Sequence, residues 1–143
     1  MKAKAKKNPK LPPPRTLVRE WVKALRSGRY TQTTGQLAKP DDGHCCLGVA
    51  CRVVKRLVPG LVKVSQFMGL VEFNGHDSEL PLEVRDVLGL QDSAGRFNGE
   101  ALAYLNDRGK TFEEIADVIE SRPAGLFRKD VFPERRKKVR RAV

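Results

Sequence analysis

The chain has 143 residues, with 28 Lys and Arg against 17 Asp and Glu, which gives a net charge of +11. This length fits one domain, and every apolar stretch is shorter than the roughly 18 to 20 residues that cross a membrane. The lysine-rich start lacks the apolar segment of a secretory signal, so we expect a cytoplasmic protein with no membrane partner.

The positive charge lies at the two ends of the chain. Residues 1–15 hold six Lys and Arg and no acid, and residues 122–143 hold nine against two acids. Residues 16–121 hold 13 Lys and Arg and 15 acids, a net charge of −2. We therefore predict a basic N-terminal arm (1–15), a globular domain (16–121) and a basic C-terminal tail (122–143).

Both ends have the composition of polyanion-binding arms. The first runs into three prolines at residues 12–14, which favour an extended conformation. Lys and Arg side chains displace the counterions of phosphates, so such arms bind DNA or RNA with little regard to sequence. The predicted nucleic-acid-binding residues are Lys2, Lys4, Lys6, Lys7, Lys10, Arg15, Arg128, Lys129, Arg135, Arg136, Lys137, Lys138, Arg140 and Arg141.

The globular domain begins with an amphipathic helix. Thr16 suits its N-cap, and Ser27 with Gly28 ends it. Its apolar positions recur at helical spacing and are Leu17, Val18, Trp21, Val22 and Leu25. Residues 30–43 are rich in Thr, Gln, Gly and Asp, which predicts a loop with one short strand at 30–33.

Residues 45–58 are apolar almost all round at first and predict a buried central helix. Its three cysteines, Cys45, Cys46 and Cys51, are an odd number in a tight cluster, which indicates a reducing compartment and no disulfide framework. A helix N-terminus stabilises a thiolate, so Cys45 or Cys46 suits a nucleophile. With His76 downstream, this order loosely resembles papain-like thiol hydrolases.

Two other interpretations of the same cysteines stay open. Together with His44 and His76 they are candidate zinc ligands, although a spacing of five between Cys46 and Cys51 is untypical of structural zinc sites. Packing in the core is the interpretation we favour, because free cysteine is among the most buried residue types. We therefore predict no metal, no cofactor and no catalytic residue.

Further along the chain, residues 61–67 and 70–73 predict a hairpin around Met68 and Gly69. Two short helices follow, one opened by Pro81 as a first-turn residue and one over residues 99–107. The apolar positions of these helices are Leu82, Val84, Val87 and Leu88, and then Ala101, Leu102, Tyr104 and Leu105.

The last predicted helix has the clearest signal. Thr111 and Glu114 form a capping box. Residues 105–119 resemble the start of a helix-turn-helix, but Pro123 and Gly125 interrupt the place of a recognition helix, so a capped core helix is favoured. Its apolar positions are Phe112, Ile115, Ala116 and Ile119, and the apolar residues beyond it that can fold back onto the core are Leu126, Phe127, Val131 and Phe132.

Together these elements predict a mainly α (α+β) fold. It is a compact bundle of about five short helices with one small β-hairpin near residues 61–74, flanked by basic arms.

Three motifs, taken in order, resemble those of a family of small proteins found largely in bacteriophage genomes. They are CCLGVAC at residues 45–51, LPLEVRDVLGL at 80–90, and LNDRGKTF at 105–112 followed by IAD at 115–117. The resemblance spans roughly residues 17–120. It implies a phage origin but no mechanism, since no activity is established for that family.

The leading functional prediction is a phage accessory protein, not an enzyme, whose arms bind DNA or RNA. The alternative is a host-directed protein that inhibits or sequesters a host factor, with the arms engaging a host protein or acidic complex. A thiol-dependent hydrolase using Cys45 or Cys46 is the third. Location in the host cytoplasm or in the virion is expected.

Overall fold

Five helices and six short strands form residues 11–132, the part of the chain that this computed structural model describes. The helices are α1 (Pro14–Leu25), α2 (Cys46–Leu57), α3 (Leu82–Leu88), α4 (Leu102–Asp107) and α5 (Phe112–Ser121). The strands are β1 (Thr31–Gln32), β2 (Gly43–His44), β3 (Val64–Phe67), β4 (Leu70–Phe73), β5 (Arg96–Phe97) and β6 (Glu100–Ala101). The predicted compact α+β class and its five helices are confirmed. No helix in residues 11–132 has both the length and the apolar character needed to cross a membrane.

The first helix begins earlier than predicted. Pro13 is its N-cap and Pro14 its first helical residue, so the predicted cap at Thr16 is wrong. Proline suits this position because the first helical N–H groups have no partner within the helix. Arg15 therefore lies in the first turn of α1 rather than in an arm. The predicted buried face is confirmed at Leu17, Val18, Trp21, Val22 and Leu25.

Helix α2 lies at the centre of the core, as its apolar sequence predicts. All of its residues from Cys46 to Cys51 are buried, whereas Lys55 and Arg56 near its end are exposed. The Trp21 indole N–H of α1 donates a hydrogen bond to the Cys46 carbonyl oxygen over 3.0 Å. This bond holds α1 against the first turn of α2.

Gly48 allows the preceding loop to lie directly on α2. A β-carbon at Gly48 would overlap the carbonyl oxygen of Leu37. Leu37 is itself fully buried, and its carbonyl oxygen accepts a 3.0 Å hydrogen bond from the Cys45 backbone N–H. Glycine is therefore required in α2 by the close approach of another backbone.

A buried amide joins four parts of the fold. Asn106, in α4, is only 1% exposed. Its side-chain oxygen accepts hydrogen bonds from the Cys46 backbone N–H at 3.1 Å and the Gln32 amide at 2.9 Å. Its side-chain nitrogen donates to the Thr33 carbonyl oxygen at 2.8 Å. The Gln32 side-chain oxygen accepts in turn from the Phe112 N–H at 3.1 Å, so β1, α2, α4 and α5 meet here.

Residues 11–132 contain three two-stranded sheets instead of the single hairpin predicted. β3 pairs antiparallel with β4 across the predicted turn at Met68 and Gly69. β5 pairs antiparallel with β6 around Asn98 and Gly99, and β1 pairs in parallel with β2. The sequence did not predict the β5–β6 hairpin, because a two-residue strand is too short to show the alternation of apolar and polar residues that indicates a strand.

Two predicted core positions are exposed. Leu82 at the start of α3 and Tyr104 in α4 are each 55% exposed. Helix α4 is also shorter than the predicted helix of residues 99–107, because Glu100 and Ala101 form β6. Helices of seven and six residues have too few turns for periodicity to separate the two faces. The remaining predicted apolar positions are buried or half-buried: Val84, Val87, Leu88, Ala101, Leu102 and Leu105.

Helix α5 begins with the predicted capping box. The Thr111 hydroxyl accepts from the Glu114 N–H at 3.1 Å, and the Glu114 carboxylate accepts from the Thr111 N–H at 2.9 Å. Its predicted buried face is confirmed at Phe112, Ile115, Ala116 and Ile119. The chain beyond α5 folds back onto the core, with Leu126, Phe127 and Val131 buried.

Replacing Gly48 with alanine is expected to lower the free energy of unfolding by about 3 kcal/mol, because the added methyl group must displace the Leu37 carbonyl. In an ordinary helix interior, replacing glycine with alanine raises stability by roughly 0.5–1 kcal/mol. A loss of stability would therefore indicate the close approach of the Leu37 carbonyl. Denaturant unfolding followed by circular dichroism measures it, with Lys55→Ala on the exposed face of α2 as the control. A Gly48→Ala protein as stable as the parent would contradict this close approach.

Candidate nucleic-acid interface

Nearly all of the net charge lies outside the described part of the chain. Residues 11–132, here called the body, hold 17 Lys and Arg and 16 Asp and Glu, a net charge of +1. The terminal segments, residues 1–10 and 133–143, carry the rest of the +11. Eleven predicted binding residues lie in these segments, outside the described structure: Lys2, Lys4, Lys6, Lys7, Lys10, Arg135, Arg136, Lys137, Lys138, Arg140 and Arg141. The structure places the other three, Arg15, Arg128 and Lys129.

Both ends of the body border one groove. It has a volume of about 360 Å³ and lies between α1 on one side and the end of α5 with the chain that follows it on the other. Its lining residues are Arg15, Val18, Arg19, Val22, Ile119, Glu120, Arg122 and Phe132. Arg15 is four residues beyond the first residue of the body, and Phe132 is the last. The C-terminal segment therefore joins the body beside this groove, and the N-terminal segment joins it within four residues of the groove.

The C-terminal wall of this groove is fixed by packing. The Arg128 backbone N–H donates to the Gly89 carbonyl oxygen at 2.8 Å. The Phe132 ring meets the buried Phe127 ring edge-on, with centroids 4.8 Å apart. The Arg122 guanidinium lies 4.5 Å from the centroid of the Phe132 ring. Phe132, the residue at which the C-terminal segment leaves the body, is thus packed against the core.

A second groove, of about 610 Å³, adjoins the first. Glu120, Arg122 and Phe132 line both, and we call the two together the basic groove. The other residues that line the second part are Gln91, Ser121, Pro123, Ala124, Gly125, Phe127, Arg128 and Lys129.

Much of the positive charge in the basic groove is uncompensated. Four of its cations are exposed and form no ion pair with any acid of the body: Arg15, Arg19, Arg122 and Lys129. Arg128 differs, because it pairs with Asp130 at 3.3 Å. Glu120, an acid of the lining, is held by Arg26 at 3.0 Å. Unpaired cations on one face attract phosphates.

Acids on α5 gather around one arginine. The Arg26 guanidinium contacts Glu113, Asp117 and Glu120 on the outer face of the helix. Its hydrogen bonds with Glu120 and Asp117 raise the pKa of Arg26. The arrangement neutralises part of the negative charge of α5 next to the basic groove.

The three thiols are buried in the core. Cys45 is 5% exposed, and Cys46 and Cys51 are fully buried. Burial raises the pKa of Cys45 to about 11 and raises the pKa values of Cys46 and Cys51 well above the usual range. A protonated, buried thiol is a poor nucleophile. His76, the proposed partner in the hydrolase interpretation, is an exposed residue beyond the β3–β4 hairpin.

The metal interpretation also lacks a geometric basis in the body. No cluster of three or more His, Cys, Asp or Glu side chains within residues 11–132 is arranged to hold a metal ion. These features favour the interpretation of the cysteines as core packing.

His44 is held as a neutral ring. It is 2% exposed, and its Nε2 accepts a hydrogen bond from the Arg52 Nε–H at 3.0 Å. Because Nε2 accepts, the ring proton lies on Nδ1, which donates to the Asp42 carbonyl oxygen at 2.9 Å. Burial, and then the charge of Arg52, lower the pKa of His44. Its hydrogen bonds are those of a core histidine and leave no ring nitrogen for a metal.

The helix-turn-helix resemblance stops at α5. This helix ends at Ser121, its C-cap Arg122 has a left-handed φ of 50°, and residues 122–132 contain no helix. This segment is therefore better described as the capped core helix that the sequence favours than as one half of a DNA-binding motif.

Sequence reasoning missed three residues of the basic groove: Arg19, Arg122 and Phe132. Arg19 had a usable signal, because it is a basic residue on the polar face of the predicted first helix, close to the arm residue Arg15. Arg122 was counted in the basic tail but not among the binding residues. Nothing in the local sequence indicates that Phe132 lies beside α1.

Comparison with known proteins identifies a family but no activity. The family described as Domain of unknown function (DUF8296) matches residues 15–123. No curated protein and no solved structure matches the chain. The phage origin implied by the sequence motifs stays a prediction.

In the native protein, all three thiols are expected to resist modification by a thiol reagent at pH 8. A pKa of about 11 leaves roughly one Cys45 thiol in a thousand ionised at that pH, and burial blocks access. Absorbance with Ellman's reagent measures the reaction, and the same protein in guanidinium chloride, where all three thiols should react, is the control. Rapid reaction of one native thiol would instead favour the hydrolase interpretation.

Stability is expected to fall as the pH drops below about 6.5. The unfolded chain binds a proton at His44 near that pH, whereas the folded protein resists protonation because its His44 pKa is lowered. The contribution of neutral His44 to the free energy of unfolding is therefore complete above pH 6.5. It is lost as the pH falls toward the pKa of His44 in the folded protein. Urea unfolding between pH 7.5 and 5.5 should show a flatter profile for His44→Gln than for the parent. Parallel profiles would mean that His44 titrates alike in both states.

Proposed function

The chain belongs to the family described as Domain of unknown function (DUF8296), and we propose that this member binds nucleic acid without sequence specificity. Binding uses the two basic terminal segments and the basic groove. The supporting observation is that the N-terminal segment joins the body four residues before the groove residue Arg15 and the C-terminal segment follows the groove residue Phe132, together with four groove cations that no acid of the body neutralises.

The charge distribution favours binding on one face. The body has a net charge of +1, so alone it attracts a polyanion weakly. Residues 1–10 add five positive charges, and residues 133–143 add a further net five. Because the N-terminal segment joins the body four residues before Arg15 and the C-terminal segment directly follows Phe132, a phosphate backbone in the groove lies close to the attachment points of both. Release of condensed counterions then supplies most of the affinity.

The chemistry of the groove favours phosphates over a specific base sequence. The cations are Arg and Lys, which bind phosphate oxygens, and contacts to phosphates carry no direct sequence information. Sequence-specific duplex readers place a helix or a β-ribbon in the major groove. Two helices, α1 and α5, line the basic groove, and α5 has an outer face of Glu113, Asp117 and Glu120, which is unsuited to approach a phosphate backbone.

Neutralising two groove cations is expected to weaken binding and to flatten its salt dependence. In the double variant Arg122→Gln and Lys129→Gln, the slope of log K against log salt should fall by about two units, one for each lost phosphate contact. Fluorescence anisotropy of labelled mixed-sequence oligonucleotides, at several salt concentrations, measures both quantities. The change should be the same for unrelated sequences.

The double variant Lys55→Gln and Arg56→Gln is the matched control. It removes the same two charges from exposed positions at the end of α2, which do not line the basic groove. This control should keep most of the parent's affinity and slope. Equal losses in the two double variants would show that only total charge matters, and absence of binding by the parent at low salt would overturn the proposed function.

A further inference from the structure

A third groove adjoins the basic groove and has different chemistry. Its volume is about 710 Å³, and it shares Gln91 and Gly125 with the 610 Å³ part of the basic groove. We call it the Tyr104 groove. Its other lining residues are Asp92, Arg96, Phe97, Asn98, Gly99, Glu100, Ala101 and Tyr104.

The Tyr104 groove displays an aromatic ring to solvent. Tyr104 is 55% exposed, although the sequence predicts it as a core position of α4. The Arg108 guanidinium lies 4.9 Å from the centroid of its ring and is itself held by Glu100 at 3.0 Å. The ring is thus positioned by a cation while more than half of the residue stays accessible. A positioned, accessible ring is a platform on which a planar group can stack.

The charges of this groove are balanced, unlike those of the basic groove. Asp92 pairs with Arg96 at 3.1 Å, and Glu100 pairs with Arg108 at 3.0 Å. Hydrogen bonds from the Ala94 and Arg96 backbone and from the Arg96 side chain lower the pKa of Asp92 despite its partial burial. Both acids are therefore compensated, and the groove attracts phosphates less than its neighbour does.

Neutral polar groups complete the lining. Asn98 and Gly99 form the turn between β5 and β6, with left-handed φ values of 44° and 79°. The Asn98 side chain is exposed at this turn, and Gln91 is exposed where the two grooves meet. Each amide offers both a donor and an acceptor, which are the groups that pair with the edges of nucleic-acid bases.

We propose that the nucleic acid bound by this protein is single-stranded, with one or more bases in the Tyr104 groove stacked on Tyr104 and with phosphates along the basic groove. This inference rests on the proposed function and narrows its ligand class. Aromatic platforms beside cationic grooves bind single strands because every unpaired base offers a π-face. In a duplex these faces are covered by neighbouring base pairs. DNA and RNA share this chemistry.

The test compares three full-length proteins: the parent, Tyr104→Ala and Tyr104→Phe. Each is titrated against a mixed-sequence 20-nucleotide single strand, its duplex, and a 20-unit abasic strand that keeps the phosphates but has no bases. Tyr104→Ala should weaken binding to the single strand about 10-fold, the usual loss for one stacked base. It should leave affinity for the duplex and the abasic strand unchanged. Tyr104→Phe keeps the ring and should bind like the parent.

Two controls keep the result interpretable. Thermal unfolding followed by circular dichroism should give the same midpoint for all three proteins, because Tyr104 is mostly exposed. The single strand is tested as DNA and as RNA. The loss of affinity caused by Tyr104→Ala must appear with whichever of the two the parent binds more tightly. Loss with both Tyr104→Ala and Tyr104→Phe would contradict stacking.

Failure of this inference differs from failure of the proposed function. If the parent binds all three oligonucleotides and Tyr104→Ala changes none of the affinities, the single-strand inference is overturned while nucleic-acid binding stands. The inference would also be overturned if Tyr104→Ala weakened binding to the duplex and to the abasic strand as much as it weakens binding to the single strand. If the parent binds none of them at low salt, both proposals fail together.

Discussion

The buried amide of Asn106 is the contact on which the rest of the fold depends. The end of β1, the N-terminus of α2 and the start of α5 are separate in sequence, and each presents a buried or part-buried backbone polar group to Asn106 or Gln32. Asn106, with Gln32, satisfies the Cys46 and Phe112 N–H groups and the Thr33 carbonyl oxygen. An unsatisfied buried polar group costs about 1–3 kcal/mol, so losing this centre would release several elements at once.

The charged residues of the body form two groups: one stabilises the fold through ion pairs, and the other is proposed to bind phosphates. Within the body, acids are placed against arginines that hold the fold, above all at Arg26, which bridges α1 and α5. Four cations of the basic groove, Arg15, Arg19, Arg122 and Lys129, have no such acids in the body. In the proposed function the neutral body is a scaffold, and its role is to bring two highly charged segments to one face.

Local signals predicted the elements whose packing follows from their own sequence. The capping box of α5 and the apolar faces of α1 and α2 are confirmed, since a long amphipathic pattern has one way to bury its apolar side. Predictions failed where local rules compete: Pro14 starts α1 before Thr16 can cap it. They failed again at Leu82 and Tyr104, because in short helices neighbouring elements decide which face is covered.

What the sequence by itself determined is the α+β class, the central cysteine helix and the concentration of charge at the two ends of the chain. Only the tertiary structure decided that Arg15 and Phe132 border one groove and that Tyr104 stands open beside it. The physical reason is that residues more than 100 positions apart meet only through the packing of everything between them. No local sequence pattern shows which of these distant residues become neighbours in the folded protein.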